Sequence, residues 1–211
     1  MHDTGEHDWL KQGSTSSGEV RKTYDNWAAS YDKTLESWNY RAPTHAAGLL
    51  RAAMPARSVL LDVGCGTGLT GLALRAAGFA GPIDGIDLSP ASLRESGKQG
   101  VYRTLTAMDL QTLPLPINDD AYDALICVGV LTYIPDSEGV LREFARLVGS
   151  GGRVLITQRD DLFLERGYSA LFGDLADVVG DITVTDPLPY LPDNPDFGTE
   201  INVIYAMMTI S

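Results

Sequence analysis

Three aspartates and a run of glycines hold most of the chemistry visible in this 211-residue chain. Asp62 closes an apolar run of strand length, and Gly64, Gly66 and Gly68 follow at every second position. A helical apolar pattern then opens at Leu69, Leu72, Ala73 and Ala76. Glycine turns the main chain sharply and leaves no Cβ between backbone and ligand. A helix starting there presents unpaired N–H groups and the positive end of its dipole. A polar ligand is therefore expected across the carboxyl end of this strand. The spacing argues against two ligand classes. A nicotinamide-binding turn reads G-x-G-x-x-G, whereas here the third glycine falls one residue early and Leu69 takes its place. A Walker phosphate loop needs Lys-Ser/Thr after the glycine at 71, and Leu72-Ala73 stands there instead.

Two further acids fall at useful distances. Asp87 closes a second predicted strand, 82–87, and lies 23 positions after Gly64. A carboxylate at about 20 residues beyond a glycine turn accepts hydrogen bonds from ribose hydroxyls in nucleotide-binding folds. Its other reading is a cap for the helix opening at Ser89-Pro90, although Ser89 is the better placed cap. A third predicted strand, 101–106, leads to Met108-Asp109.

Asp-x-Gly-x-Gly-x-Gly at a strand end resembles motif I of the class I S-adenosylmethionine-dependent methyltransferases. The resemblance extends over about residues 58–157. In that family Asp87 binds the ribose, Leu88 packs on one adenine face, and Asp109 accepts from the exocyclic amine with Met108 as a soft apolar neighbour. Residues 121–131, with Cys127 near the end, resemble motif IV, whose strand end faces the transferred methyl. Residues 130–136 resemble the turn into the next helix, and 151–157 the glycine-led fifth strand. The motif also implies contacts from Gly64, Cys65 and Gly66. Ahead of this core, residues 24–32 read Y-D-x-W-A-x-x-Y-D, with Tyr40-Arg41-Ala42-Pro43 downstream. This pattern is similar to the Williams–Beuren-region methyltransferase-like proteins and their bacterial relatives. Val20, Tyr24, Trp27, Ala28, Tyr31 and Leu35 share one helical stripe. Such a stripe can be plain core. The resemblance implies that it covers the cofactor pocket, with Tyr24, Trp27 and Tyr31 toward the methionine portion or the acceptor. Arg41 reads either as a partner for a carboxylate or as a surface residue.

The implied fold is α/β: a doubly wound, seven-stranded, mostly parallel Rossmann-like sheet with its last strand antiparallel and an N-terminal helical cap. The expected organisation is a flexible tail over 1–18, a helical cap over 19–54 and the core over 55–211. Val140, Leu141, Phe144, Ala145 and Val148 mark one helix by their recurrence. Ile182 to Thr185 alternate as an edge strand should, and 201–210 form the long closing strand. Between these, residues 187–195 hold four prolines and read as a stiff loop at the substrate mouth.

Composition bounds the partners. A size of 211 residues with 44% hydrophobic content suits one domain. The formal charge of −12, from 28 acids against 16 bases, argues against nucleic acid and anionic membranes. The start of the chain shows no signal-peptide pattern, and no apolar stretch reaches the roughly 18 residues of a membrane helix. Two cysteines in core-like segments fit a reduced, cytoplasmic setting and read as packing residues. No spacing suggests a metal site.

The expected activity is methyl transfer from S-adenosylmethionine, releasing S-adenosylhomocysteine, to a small-molecule acceptor by in-line displacement. Positioning alone can lower such a barrier by up to about 7–11 kcal/mol, so a catalytic base is needed only when the acceptor must lose a proton. Tyr31, Tyr133 and His45 are the side chains available to orient or deprotonate it. The Asn/Asp-Pro-Pro-Tyr/Phe signature of nucleic-acid amino methylation is absent, because Gly129-Val130-Leu131-Thr132 stands in its place. A regulatory protein that binds the cofactor without transfer, and a protein methyltransferase, are the alternatives. The sequence sets no oligomeric state.

Overall fold

Apolar runs that alternate between two buried faces set the architecture, seen in a computed structural model that describes residue 10, residues 14–196, residue 198 and residues 200–211. Strands β1 (Leu60–Val63), β2 (Ile83–Asp87), β3 (Thr104–Ala107), β4 (Tyr122–Cys127) and β5 (Val148–Arg159) run parallel in the order β3-β2-β1-β4-β5. Strand β6 (Val179–Val184), the two-residue β7 (Leu188–Pro189) and β8 (Asn202–Ile210) complete the sheet. β8 lies antiparallel between β5 and β6, as expected of the closing strand. Helices α1 (Ser17–Trp27), α2 (Tyr31–Ser37) and α3 (Ala42–Ala53) precede β1. α4 (Leu69–Ala76) and α5 (Pro90–Lys98) follow β1 and β2; α6 (Ser137–Leu147) leads into β5, and α7 (Asp160–Glu165) and α8 (Tyr168–Asp174) follow it.

Successive side chains of a strand point to opposite faces, and here both faces are covered. Leu60, Ala124, Ile126 and Leu155 pack with Ala46, Ala47 and Leu50 of α3 and Leu74 of α4. Leu61, Val63, Leu125 and Ile156 pack on the other side with Val140, Leu141 and Phe144 of α6. Burial on both faces explains why the central strands read as continuous apolar runs rather than alternating ones.

Four local expectations change. The sheet has eight strands rather than seven, because Leu188 and Pro189 pair with Val203 and Asn202. Proline is tolerated there because β7 is a short edge piece. Val148 belongs to β5 and not to the preceding helix; it pairs with Tyr122 before an irregularity resets the register at Ala124 and Arg153. The aromatic stripe is not one helix, since α1 ends at Trp27 and the chain turns through 28–30 before α2. Helix α1 opens at Ser17, inside the stretch read as tail. The remaining tail positions 1–9 and 11–13 lie outside the described residues.

Phe144 is fully buried between α6 and the sheet. Phe144→Ala should cost about 3–5 kcal/mol of unfolding free energy, read from the denaturant midpoint at unchanged slope.

Candidate functional site

The turn after β1 lets two elements approach more closely than side chains allow. Gly64 has φ +69°, and a Cβ placed on it would meet Val130 Cγ2 at 2.1 Å. Gly64 and Cys65 both donate their backbone N–H to the Ile86 carbonyl, at 2.8 and 3.0 Å, which ties the turn to the end of β2. Asp87 then faces the turn. Its carboxylate accepts from Gly66 N at 2.9 Å and from Ser89 N at 2.8 Å. Ser89 is the cap of α5, accepting from Ser92 N at 3.0 Å, so Asp87 does not serve as that cap. Burial raises the Asp87 carboxyl and the Asp25 charge adds to this, while the two backbone donors pull it back. Met108 N donates to the Asp87 carbonyl at 3.0 Å, which sets Met108 and Asp109 beside the same carboxylate.

These groups surround a cleft holding about 810 Å³ of non-atom space, part of it open to solvent. Tyr24, Tyr31, Gly64, Gly66, Asp87, Leu88, Met108 and Asp109, all expected at a cofactor site, line it, and so does Tyr133. Three other expected residues do not. Trp27 stands behind Tyr31, with ring centroids 4.7 Å apart. Cys65 Sγ turns away from the cleft, 2.9 Å from where a Cβ on Gly85 would stand, and Cys127 is fully buried in β4. Burial pushes both thiols up, which disfavours the thiolate at either position. His45 is exposed on α3, packed on the Tyr205 ring at 4.7 Å, and is not on the cleft wall. Arg41 is exposed and donates to Asn39 Oδ1.

The helical segment before β1 forms a cover held by polar contacts. Asp25 accepts from Ser89 Oγ at 2.6 Å and Ala91 N at 3.1 Å. Asp32 accepts from Thr67 Oγ1 at 2.5 Å. Tyr24 donates to the Tyr133 hydroxyl at 3.0 Å. Tyr133 sits on a single 3₁₀ turn, Leu131–Tyr133, whose carbonyls Leu131 and Thr132 are clamped by the Arg166 guanidinium at 2.8 Å each. Burial pushes Tyr24, Tyr31 and Tyr133 upward, so all three keep their protons at neutral pH.

Sequence reasoning missed a second set of residues. A Cβ on Gly129 (φ +74°) would lie 3.2 Å from both the Tyr40 and Tyr190 hydroxyls. Tyr190 belongs to the proline-rich segment expected at the substrate mouth, and Tyr40 to the quoted N-terminal pattern; nothing local marked either as a neighbour of Gly129. Tyr102 was also missed. It donates to Asp62 Oδ2 at 2.6 Å and accepts from Gly71 N at 3.0 Å, joining the buried carboxylate to the first turn of α4.

The residues present fit a nucleoside with an amino-acid tail. The Asp87 carboxylate, fixed by backbone donors, has lone pairs left for vicinal hydroxyls. The Met108–Asp109 step offers an apolar contact and an acceptor for a purine edge. Gly64 and Gly66 allow close backbone approach, and a Cβ on Gly66 would meet nothing within 4 Å. Asp62 Oδ1 is buried with no hydrogen-bond partner among the described residues. Among those residues no group of three or more His, Cys, Asp or Glu is placed to hold a metal ion, and no helix is long and apolar enough to cross a membrane.

A parallel sheet closed by one inserted antiparallel strand, with a glycine turn and a strand-end acid at its switch point, is the class I methyltransferase fold. The comparisons agree. Residues 61–156 match the family model of the methyltransferase domain. The human methyltransferase-like protein 27 is 39% identical over 112 residues, covering 52% of this chain and 45% of that protein. The ubiquinone biosynthesis O-methyltransferase of Nitrosomonas europaea is 36% identical over 105 residues, covering 46% of this chain and 42% of that one. The matches thus span less than half the length of these two relatives. Among solved structures, a SAM-dependent methyltransferase of Thermotoga maritima described as a possible histamine N-methyltransferase superposes with a TM-score of 0.63 at 17% identity, covering 90% of this chain and 98% of that one. Over this core the chain is similar to SAM-dependent methyltransferases, and it shares their fold.

Asp62 makes the free protein's stability depend on pH. Burial raises its carboxyl to about 7, against the opposing hydrogen bond from Tyr102. Below about pH 3 folded and unfolded chains both hold this proton; as pH rises toward 7 the unfolded chain releases it and the folded one resists, so stability falls. Asp87 contributes with the same sign. In thermal melts of the cofactor-free protein from pH 5 to 8, Asp62→Asn should flatten this decline relative to wild type. An identical pH profile would contradict the assignment.

Proposed function

We propose that the chain transfers the methyl group of S-adenosylmethionine to a small-molecule acceptor. The observation that carries this reading is the Asp87 carboxylate fixed between Gly66 N and Ser89 N at the mouth of an aromatic-lidded cleft. Asp87 would hold the ribose hydroxyls and Met108–Asp109 the adenine. The turn at 64–66 would take the methionine portion, and Tyr24, Tyr31 and Tyr133 would stand at the methyl end. When bound, the cofactor supplies an electrophilic methyl on a cationic sulfur. The chain's own part is to hold the acceptor in line, exclude water and keep three neutral phenols around the reacting end.

Several features support a small acceptor over a polymer. The cover is latched at Asp25, Asp32 and Tyr24, which narrows the methyl end. The relatives named for ubiquinone biosynthesis act on small molecules, and the chain's charge of −12 disfavours a phosphate backbone as partner. Cys65 and Cys127, both buried free thiols, support a reducing, cytoplasmic setting.

Calorimetry should show one site for S-adenosylhomocysteine per chain. Asp87→Ala should weaken it about 10- to 100-fold, as expected for losing hydrogen bonds to a charged group. Unchanged affinity would remove the cofactor assignment. With methyl-labelled cofactor and a panel of small acceptors, label should pass to at least one; a panel left wholly unlabelled would favour a cofactor-binding regulatory protein.

A further inference from the structure

Beyond the methyl end, five phenols and one buried guanidinium converge. The Tyr24 and Tyr133 hydroxyls share a hydrogen bond, Tyr31 packs on Tyr24 with centroids 6.0 Å apart, and Tyr40 and Tyr190 close over Gly129. Arg159, the last residue of β5, has a side chain only 7% exposed, paired with Asp161, whose side chain is 50% exposed. Nε and one terminal nitrogen hold the two Asp161 oxygens at 3.0 and 2.5 Å. The ion pair is therefore oriented, with its carboxylate toward solvent and its cation inward. The other terminal nitrogen donates to the Leu10 carbonyl at 2.8 Å. Leu10 itself packs in the same cluster as Tyr31, Tyr40 and Tyr190. A carbonyl oxygen is thus already seated on the guanidinium, against aromatic walls. Burial raises Tyr133 and Tyr190, and in both cases the Arg159 charge works in the opposite direction.

We propose that Arg159 anchors the methyl acceptor by an acidic oxygen. The acceptor is then a small flat molecule with an ionisable hydroxyl, of the phenol or enol class, taking the place Leu10 holds. This rests on the methyl-transfer reading. A cation within about 4–6 Å lowers an acid's pKa by about 1–3 units, so the acceptor hydroxyl releases its proton to water and meets the reacting methyl as an oxyanion. An inward-facing cation disfavours an ammonium there for the same reason. The Arg159 charge acts on Asp161 from α7 and on Tyr133 and Tyr190, and these two phenols pack in turn with Tyr24, Tyr31 and Tyr40. Asp160 is turned to β8, accepting from Asn202 N and Nδ2 at 3.0 Å.

The test uses the full chain with S-adenosylhomocysteine and 4-nitrophenol, whose ionisation is read from phenolate absorbance. Bound 4-nitrophenol should ionise at least about one pH unit below the free compound. Arg159→Gln should abolish that shift and weaken the probe about tenfold or more, leaving S-adenosylhomocysteine affinity within twofold. Asp161→Asn removes a half-exposed counter-charge and should move the ionisation further down, which keeps the proposal testable should the Arg159 variant fold poorly. Equal ionisation in wild type and both variants would overturn it, as would tighter binding of benzylamine than of 4-nitrophenol. Probe binding absent while S-adenosylhomocysteine binds refutes the role of Arg159 alone; loss of S-adenosylhomocysteine binding refutes the methyl-transfer reading beneath it.

Discussion

Close approach of two loops at the carboxyl edge of the sheet underlies everything built there. Gly64 leaves no room for a Cβ against Val130, so the turn after β1 and the turn after β4 pack directly on each other. The Gly64 and Cys65 amides tie the same turn to the end of β2, where Asp87 is fixed by two backbone N–H groups. A carboxylate fixed by main-chain donors has little to reorganise when a ligand arrives, and such preorganisation is what gives polar groups their value in a site. The same edge receives the cover, because Ser89 and Thr67 supply the groups that hold Asp25 and Asp32.

Beneath this edge lies a polar element in an otherwise apolar layer. Asp62 is fully buried on β1, and Tyr102 links it to the amide of Gly71 in α4. One oxygen of Asp62 is left without a partner among the described residues, at a cost a fold accepts mainly where function requires it. Arg166 plays a quieter part, holding three carbonyls of the 131–134 turn so that Tyr133 keeps its place opposite Tyr24.

What could be read from the sequence was what is local. The glycine turn and the strand-end Asp87 follow from strand-to-helix punctuation, whereas the Met108–Asp109 step and the inserted last strand are implied by the resemblance to the methyltransferases. The failures have two physical sources. Periodicity does not mark where a helix bends, so the aromatic stripe read as continuous although the chain turns at 28–30. Val148 matched a helical repeat while a β-ladder with Tyr122 claimed it. The neighbours of the cleft that sequence did not mark depend on long-range encounters. Arg159 meets the Leu10 carbonyl across 149 positions, and Tyr190 reaches Gly129 from a segment whose prolines announce only stiffness. Side-chain type alone could not separate Trp27, Cys65 or Cys127, which lie behind the wall, from the residues that form it.

Helix α1 is half-buried along one face, where Tyr24 and Trp27 pack into the aromatic cover, and none of its residues is fully enclosed. Its attachment combines the Asp25 and Tyr24 polar links with this aromatic face, a smaller hold than that of the central strands. Asp25 grips Ser89 and Ala91, the backbone next to Asp87, so a nucleoside resting on that carboxylate would firm the very segment that holds the helix.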